Sequence, residues 1–103
     1  MPKYVLAYHG GGLAAPEDAD AVMNSWISWF GELGAAVVDG GNPTGQAVTV
    51  NADGSVSAGG GANGISGYSL INADSIDAAA ALAKGCPILS AGGSVEVAEA
   101  IDM

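Results

Sequence analysis

His9 is the only histidine in the 103-residue chain, and it closes the run Tyr4-Val5-Leu6-Ala7-Tyr8. Imidazole exchanges its proton near neutral pH, so a general acid or base is sought there first. Asp39 opens the turn-forming run Asp39-Gly40-Gly41-Asn42-Pro43, directly after Ala35-Ala36-Val37-Val38. A carboxylate facing an imidazole holds it in one tautomer and leaves the other ring nitrogen free to take or give a proton. His9 and Asp39 are therefore the candidate catalytic pair. They suit proton abstraction beside a carbonyl, isomerisation or elimination on a small neutral aromatic or lactone-like ring. Tyr8, Trp26 and Tyr68 are the candidate ligand-binding side chains, because aromatic rings line apolar pockets. Each candidate also has a structural alternative. His9 suits a partly exposed site before a glycine turn, Asp39 suits the cap of an Asx-type turn, and the aromatic rings suit a core.

Other chemistries find little in the sequence. Gly10-Gly11-Gly12 follows a strand-like run and precedes a helix-like one, but its spacing fits neither GxGxxG nor GxxxxGK[ST]. Glu17, Asp18 and Asp20 sit at a helix start, where acids complement the helix dipole, and no histidine joins them as a metal ligand. No metal and no cofactor is expected. Cys86 is the single cysteine, which excludes an internal disulfide and a cysteine metal cluster and suits a small core residue beside Pro87. Lys3 and Lys84 are the only cations against 11 acids, a formal charge of −9. Nucleic acid and anionic membranes are poor partners for such a chain, and the charged clamp for phosphorylated substrates is missing. No apolar stretch approaches the ~20 residues of a membrane span and no signal peptide is evident, so a cytoplasmic protein is the expectation.

The elements that must position these residues follow from pattern and punctuation. Tyr4 to His9 reads as a buried strand. Pro16 suits the first helical position, and Val22, Trp26, Trp29, Phe30 and Leu33 form an apolar stripe that Gly34 stops. Ala35 to Val38 reads as a second strand running into a turn at Asp39 to Pro43. Ala47 to Val50 and Ser55 to Ser57 flank Asn51-Ala52-Asp53-Gly54 as a hairpin, and Gly59 to Gly64 is a loop. Tyr68 to Ala73 reads as a strand. A second helix, capped by Asp74 with Asp77 at its third position, runs to a stop at Gly85. Val95, Val97, Glu99 and Ile101 alternate as a last, half-exposed strand.

The order is strand, helix, strand, hairpin insertion, strand, helix, strand. It predicts one α+β domain over residues 1–103, a ferredoxin-like βαβ-βαβ with an antiparallel sheet and two helices on one face. Tyr4 to Tyr8 and Tyr68 to Ile71 are apolar on both sides, so the helix-free face predicts a homodimer that stacks two sheets.

Several short runs taken in order resemble the YCII-related family, near its DGPF-type branch, nearly end to end. They are Lys3 to His9, Trp29 to Gly34, Asp39 to Pro43, Tyr68 to Ile71 with Ala73 to Ser75, Ala83 to Pro87, and Gly92 to Val97. The resemblance implies a dimeric α+β barrel and an activity suspected from a His and Asp pair in a cleft. Related barrels include isomerases, dehalogenating enzymes and monooxygenases. Asp39 matches the acidic position of the DGPF-like motif. The family histidine often lies in the first helix, which here has none, leaving His9 to stand in for it. Two functions follow as expectations: a cofactor-independent isomerase or lyase-like enzyme, or a non-catalytic dimeric module that binds a small ligand or another protein.

Overall fold

The computed structural model describes residues 2–11, 19–61 and 64–102. Strand β1 spans Lys3–His9, helix α1 Ala19–Leu33, β2 Val37–Pro43, β3 Val48–Val50, β4 Val56–Ala58, β5 Ile65–Asn72, α2 Ile76–Ala83 and β6 Ser94–Ala100. Four strands form one sheet in the order β2-β5-β1-β6, and β3 pairs with β4 alone. β5 is antiparallel to both β1 and β2, and β6 is antiparallel to β1. Among the described residues the fold is α+β with an antiparallel sheet and two α-helices. Because β5 lies between them, β1 and β2 share the sheet without touching, as in a split βαβ arrangement.

Alternation along the strands divides the sheet into two faces. Tyr4, Leu6 and Tyr8 of β1 are buried and cluster with Ile71 of β5, Trp29 and Leu33 of α1, and Ala79 and Ala83 of α2. Both helices therefore cover this face. Trp29 anchors them together, its indole N–H donating to the Leu82 carbonyl at 3.2 Å. The apolar stripe of α1 is shorter than its spacing predicts: Trp26, Trp29, Phe30 and Leu33 pack inward, whereas Val22 is 40% exposed. Gly34 ends α1 with φ +54°, the left-handed turn expected of it. The helix start at Pro16, Glu17 and Asp18 lies outside the described residues.

Several boundaries differ from the sequence expectation. Ala35 and Ala36 belong to a 3-10 turn, and the strand begins at Val37 and carries on through the run read as a turn. What permits this is irregular pairing: β2 shifts register against β5 between Val37 and Asp39 and again between Asp39 and Asn42. The turn-forming residues are absorbed as bulges inside a strand. Helix α2 is capped by Ser75 rather than Asp74, since Ser75 Oγ accepts from the Ala78 amide at 3.1 Å. Gly85 does not end that helix by a left-handed turn. It makes room, because a Cβ there would stand 3.2 Å from the Trp29 indole.

Candidate functional site

Register sets which candidates share a surface. Val5 pairs with Leu70 and Ala98, and Ala7 pairs with Tyr68 and Glu96, so these side chains and His9 belong to the helix-free face. His9 is nevertheless 7% exposed. Its Nδ1 lies 3.2 Å from the Gly64 carbonyl oxygen and its Nε2 3.1 Å from Glu96 Oε1. Both partners are acceptors, so both contacts are hydrogen bonds when each ring nitrogen carries a hydrogen, which is the imidazolium form. Glu96 then balances the charge, with its own side chain 63% exposed.

Asp39 is not brought to this histidine. It pairs with Leu70, level with Val5 and four residues from His9 along the sheet, with β5 intervening. At ~4.8 Å between strands and ~3.4 Å per residue, the two backbones are about 17 Å apart. The Asp39 carboxylate instead accepts from the Gly41 amide at 2.8 Å, the Asx-type cap foreseen as its structural alternative. A carboxylate does meet the imidazole, but it is Glu96. The sequence held one signal for it: in the alternation Val95, Val97, Glu99, residue 96 must face the other way. Its partner in space depends on a pairing across 87 positions that no local pattern encodes.

The three aromatic candidates divide between the faces. Tyr8 lies on the helix side, edge-on to Trp26 at 5.1 Å and to Trp29 at 6.5 Å between ring centroids. These rings fill one another's space as core does. Tyr68 is on the helix-free face, where its hydroxyl accepts from Asn42 Nδ2 at 3.3 Å. The buried Tyr8 hydroxyl donates to Ser69 Oγ, which donates to the Gly40 carbonyl, each at 2.7 Å. This relay ties β1, β5 and β2 together, and Ser69 is a structural residue the sequence reading passed over.

Burial pushes the Tyr8 phenol up to about 12, assisted by the neighbouring Cys86 and partly offset by the Ser69 hydrogen bond. Burial also pushes the Cys86 thiol up, the reverse of what a nucleophilic cysteine needs. Two of the hollows on the surface can be compared with the candidate positions. One of about 520 Å³ is bounded by Pro2, Lys3, Glu99, Ala100, Ile101 and Asp102. The other, of about 270 Å³, is bounded by Ala80, Ala83, Lys84, Leu89, Val95 and Val97. Neither is bordered by His9, Asp39, Tyr8, Trp26 or Tyr68. Among the described residues no group of three or more His, Cys, Asp or Glu side chains is placed to hold a metal ion, and no helix is long and apolar enough to cross a membrane.

No protein-family model matches the chain, and no curated protein matches it.

Proposed function

We propose that the protein is a homodimeric, non-catalytic binding module of the YCII-related, dimeric α+β barrel kind, in which two copies stack the helix-free faces of their sheets. The apolar centre of that face carries the reading: Val5, Ala7, Leu70 and Ala98 are neighbours across three strands, with His9, Ser94 and Glu96 toward one end and Lys3 and Asn72 at the other. The surface total points the same way. The chain exposes 6,682 Å², against about 5,200 Å² for a compact monomer of 10.0 kDa. A non-catalytic role fits the two catalytic candidates, because both His9 nitrogens and the Asp39 carboxylate are engaged within the chain. A ligand held between the sheets is small, neutral and apolar on this reading, since a pair of chains each at −9 repels anions.

The contact between His9 and Glu96 favours a second reading, cofactor-independent proton transfer on an aromatic or lactone-like ring. Glu96 is exposed enough to swing aside and release Nε2 toward a substrate on the sheet. Two measurements separate the possibilities. Sedimentation equilibrium at micromolar concentration is expected to give about 20 kDa, twice the 10.0 kDa chain, and Leu70→Glu is expected to return it to the monomer mass. A parent protein that sediments as a monomer overturns the dimer. A panel of lactones and aromatic metabolites, turned over by the parent and not by His9→Asn or Glu96→Gln, favours the enzyme instead.

A further inference from the structure

The four-stranded sheet has two edges, and they are unlike. β2 is interrupted: its register against β5 shifts twice, and Gly40, Gly41 and Pro43 stand among its residues. Bulges, glycine and proline keep a strand edge from receiving another strand. β6 has none of them. Ser94-Val95-Glu96-Val97-Ala98-Glu99-Ala100 pairs with β1 from end to end without a shift. Among the described residues no strand lies on its other side. The outward N–H and C=O groups of β6 therefore form a straight, unpaired row, the template that strand addition uses.

The side chains beside that row set the chemistry of an added strand. Val95, Val97 and Glu99 pair with Tyr8, Leu6 and Tyr4, so they face the helices, whereas Glu96 and Ala98 face the other way. On the helix side, Val95 and Val97 join Ala80 and Ala83 of α2, Lys84 at its C-cap and Leu89 of the following 3-10 turn around the hollow of about 270 Å³. An added strand sends every second side chain to that side. Residues opposite Val95 and Val97 thus enter an apolar hollow, from which Lys84 repels a cation. Aliphatic side chains suit it. Residues opposite Glu96 and Glu99 meet carboxylates instead. Glu96 also meets His9, but with its side chain 63% exposed it can face a second cation. Opposite charges directly across two strands stabilise the pairing and like charges oppose it, so both positions call for lysine or arginine.

The same charges choose the occupant. A second copy of the chain brings another −9, and its two cations, Lys3 and Lys84, both lie outside β6. A β6 strand from that copy supplies glutamates where cations are needed. A segment of a different protein is free of this conflict.

We infer that β6 receives an extended basic peptide from another protein as a fifth strand of the sheet. It adds antiparallel, the more stable pairing, with the order basic, any, aliphatic, basic, aliphatic opposite Glu99, Ala98, Val97, Glu96 and Val95. Sheet stacking uses a face and strand addition an edge, so this inference goes beyond the homodimer proposed above and stands without it.

The test follows backbone amide NMR signals while the protein is titrated with the capped peptide Thr-Lys-Thr-Val-Lys-Val-Thr, or with its counterpart carrying glutamate in place of both lysines. Parent, Glu99→Lys and Leu89→Ser are compared; Leu89 is 43% exposed, so its replacement spares the fold. The lysine peptide is expected to shift the amides of Ser94 to Ala100 and to bind the parent about tenfold tighter than the glutamate peptide. Glu99→Lys narrows that preference severalfold, and Leu89→Ser weakens the lysine peptide severalfold. The inference is overturned if the lysine peptide leaves the β6 amides unmoved, if both peptides bind the parent equally, or if Glu99→Lys keeps the full preference. It is also overturned if outward β6 amides resist exchange in the concentrated protein alone and lose that protection on dilution, which assigns the edge to a second copy. Sedimentation of the same samples decides the sheet-stacked homodimer separately.

Discussion

At the scale of single residues, polar side chains here are engaged structurally where the sequence suggested reaction chemistry. His9 fastens the return of the β3–β4 hairpin to β6 through Gly64 and Glu96, and Asp39 closes a bulge through Gly41. Tyr8 is the residue whose titration reports its packing. An unfolded tyrosine loses its proton near pH 10, whereas Tyr8 holds its proton to about 12. Its folded-state value is raised, and the protonated phenol is the form that folding favours. Its contribution to stability is therefore complete below about pH 10 and lost as the pH rises from about 10 to about 12. Tyr8→Phe is expected to cost about 1 kcal/mol at neutral pH, from the hydrogen bond to Ser69, and to flatten the alkaline loss. Urea unfolding across that range checks both, and a variant whose alkaline loss matches the parent's contradicts the assignment.

At the scale of elements, the sequence was legible wherever one chain segment determines its own structure. The Tyr4 to His9 run, the Trp26-Trp29-Phe30-Leu33 stripe with Gly34, the hairpin around Asp53-Gly54 and the alternation at Val95 and Val97 all carry their signal locally. β2 was the failure, because Asp39-Gly40-Gly41-Asn42-Pro43 has turn chemistry and strand surroundings. Tertiary pairing with β5 overrides the local preference. The candidate pair failed for the same reason at larger distance: which carboxylate meets His9 depends on the order β2-β5-β1-β6, and sequence spacing does not contain it. Gly41 shows how closely β2 is fitted. Its φ is +71°, and a Cβ there would stand 1.8 Å from the Tyr68 carbonyl oxygen. Gly41→Ala is expected to destabilise the fold by about 3 kcal/mol or more, read from the urea midpoint. A loss below about 1 kcal/mol means that the bulge relaxes without cost and the strand is less constrained than its geometry implies.

At the scale of the whole molecule, an acidic chain with an apolar centre to one sheet face has opposing tendencies. The charge of −9 keeps copies apart and the apolar surfaces draw them together. Salt acts on the first and spares the second, shortening the screening length from about 30 Å at 0.01 M to about 3 Å at 1 M. The proposed dimer is accordingly expected to tighten severalfold as sodium chloride rises over that range, measured by sedimentation. Weakening with salt points instead to an interface held by ion pairs. The composition that argues against nucleic acid and phosphate as partners thus also bears on the proposed self-association.

The placement of β1 has a consequence for biosynthesis. β1 is a central strand, yet its neighbours β5 and β6 begin at Ile65 and Ser94. A nascent chain therefore carries Tyr4, Leu6 and Tyr8 for more than half its length with no strand to pair against. Pairing between distant segments is slow to form and leaves hydrophobic surface exposed meanwhile. Synthesis delivers the core's first strand about 60 residues before either of its partners, and a yield that rises when a chaperone shields that interval is the expected outcome.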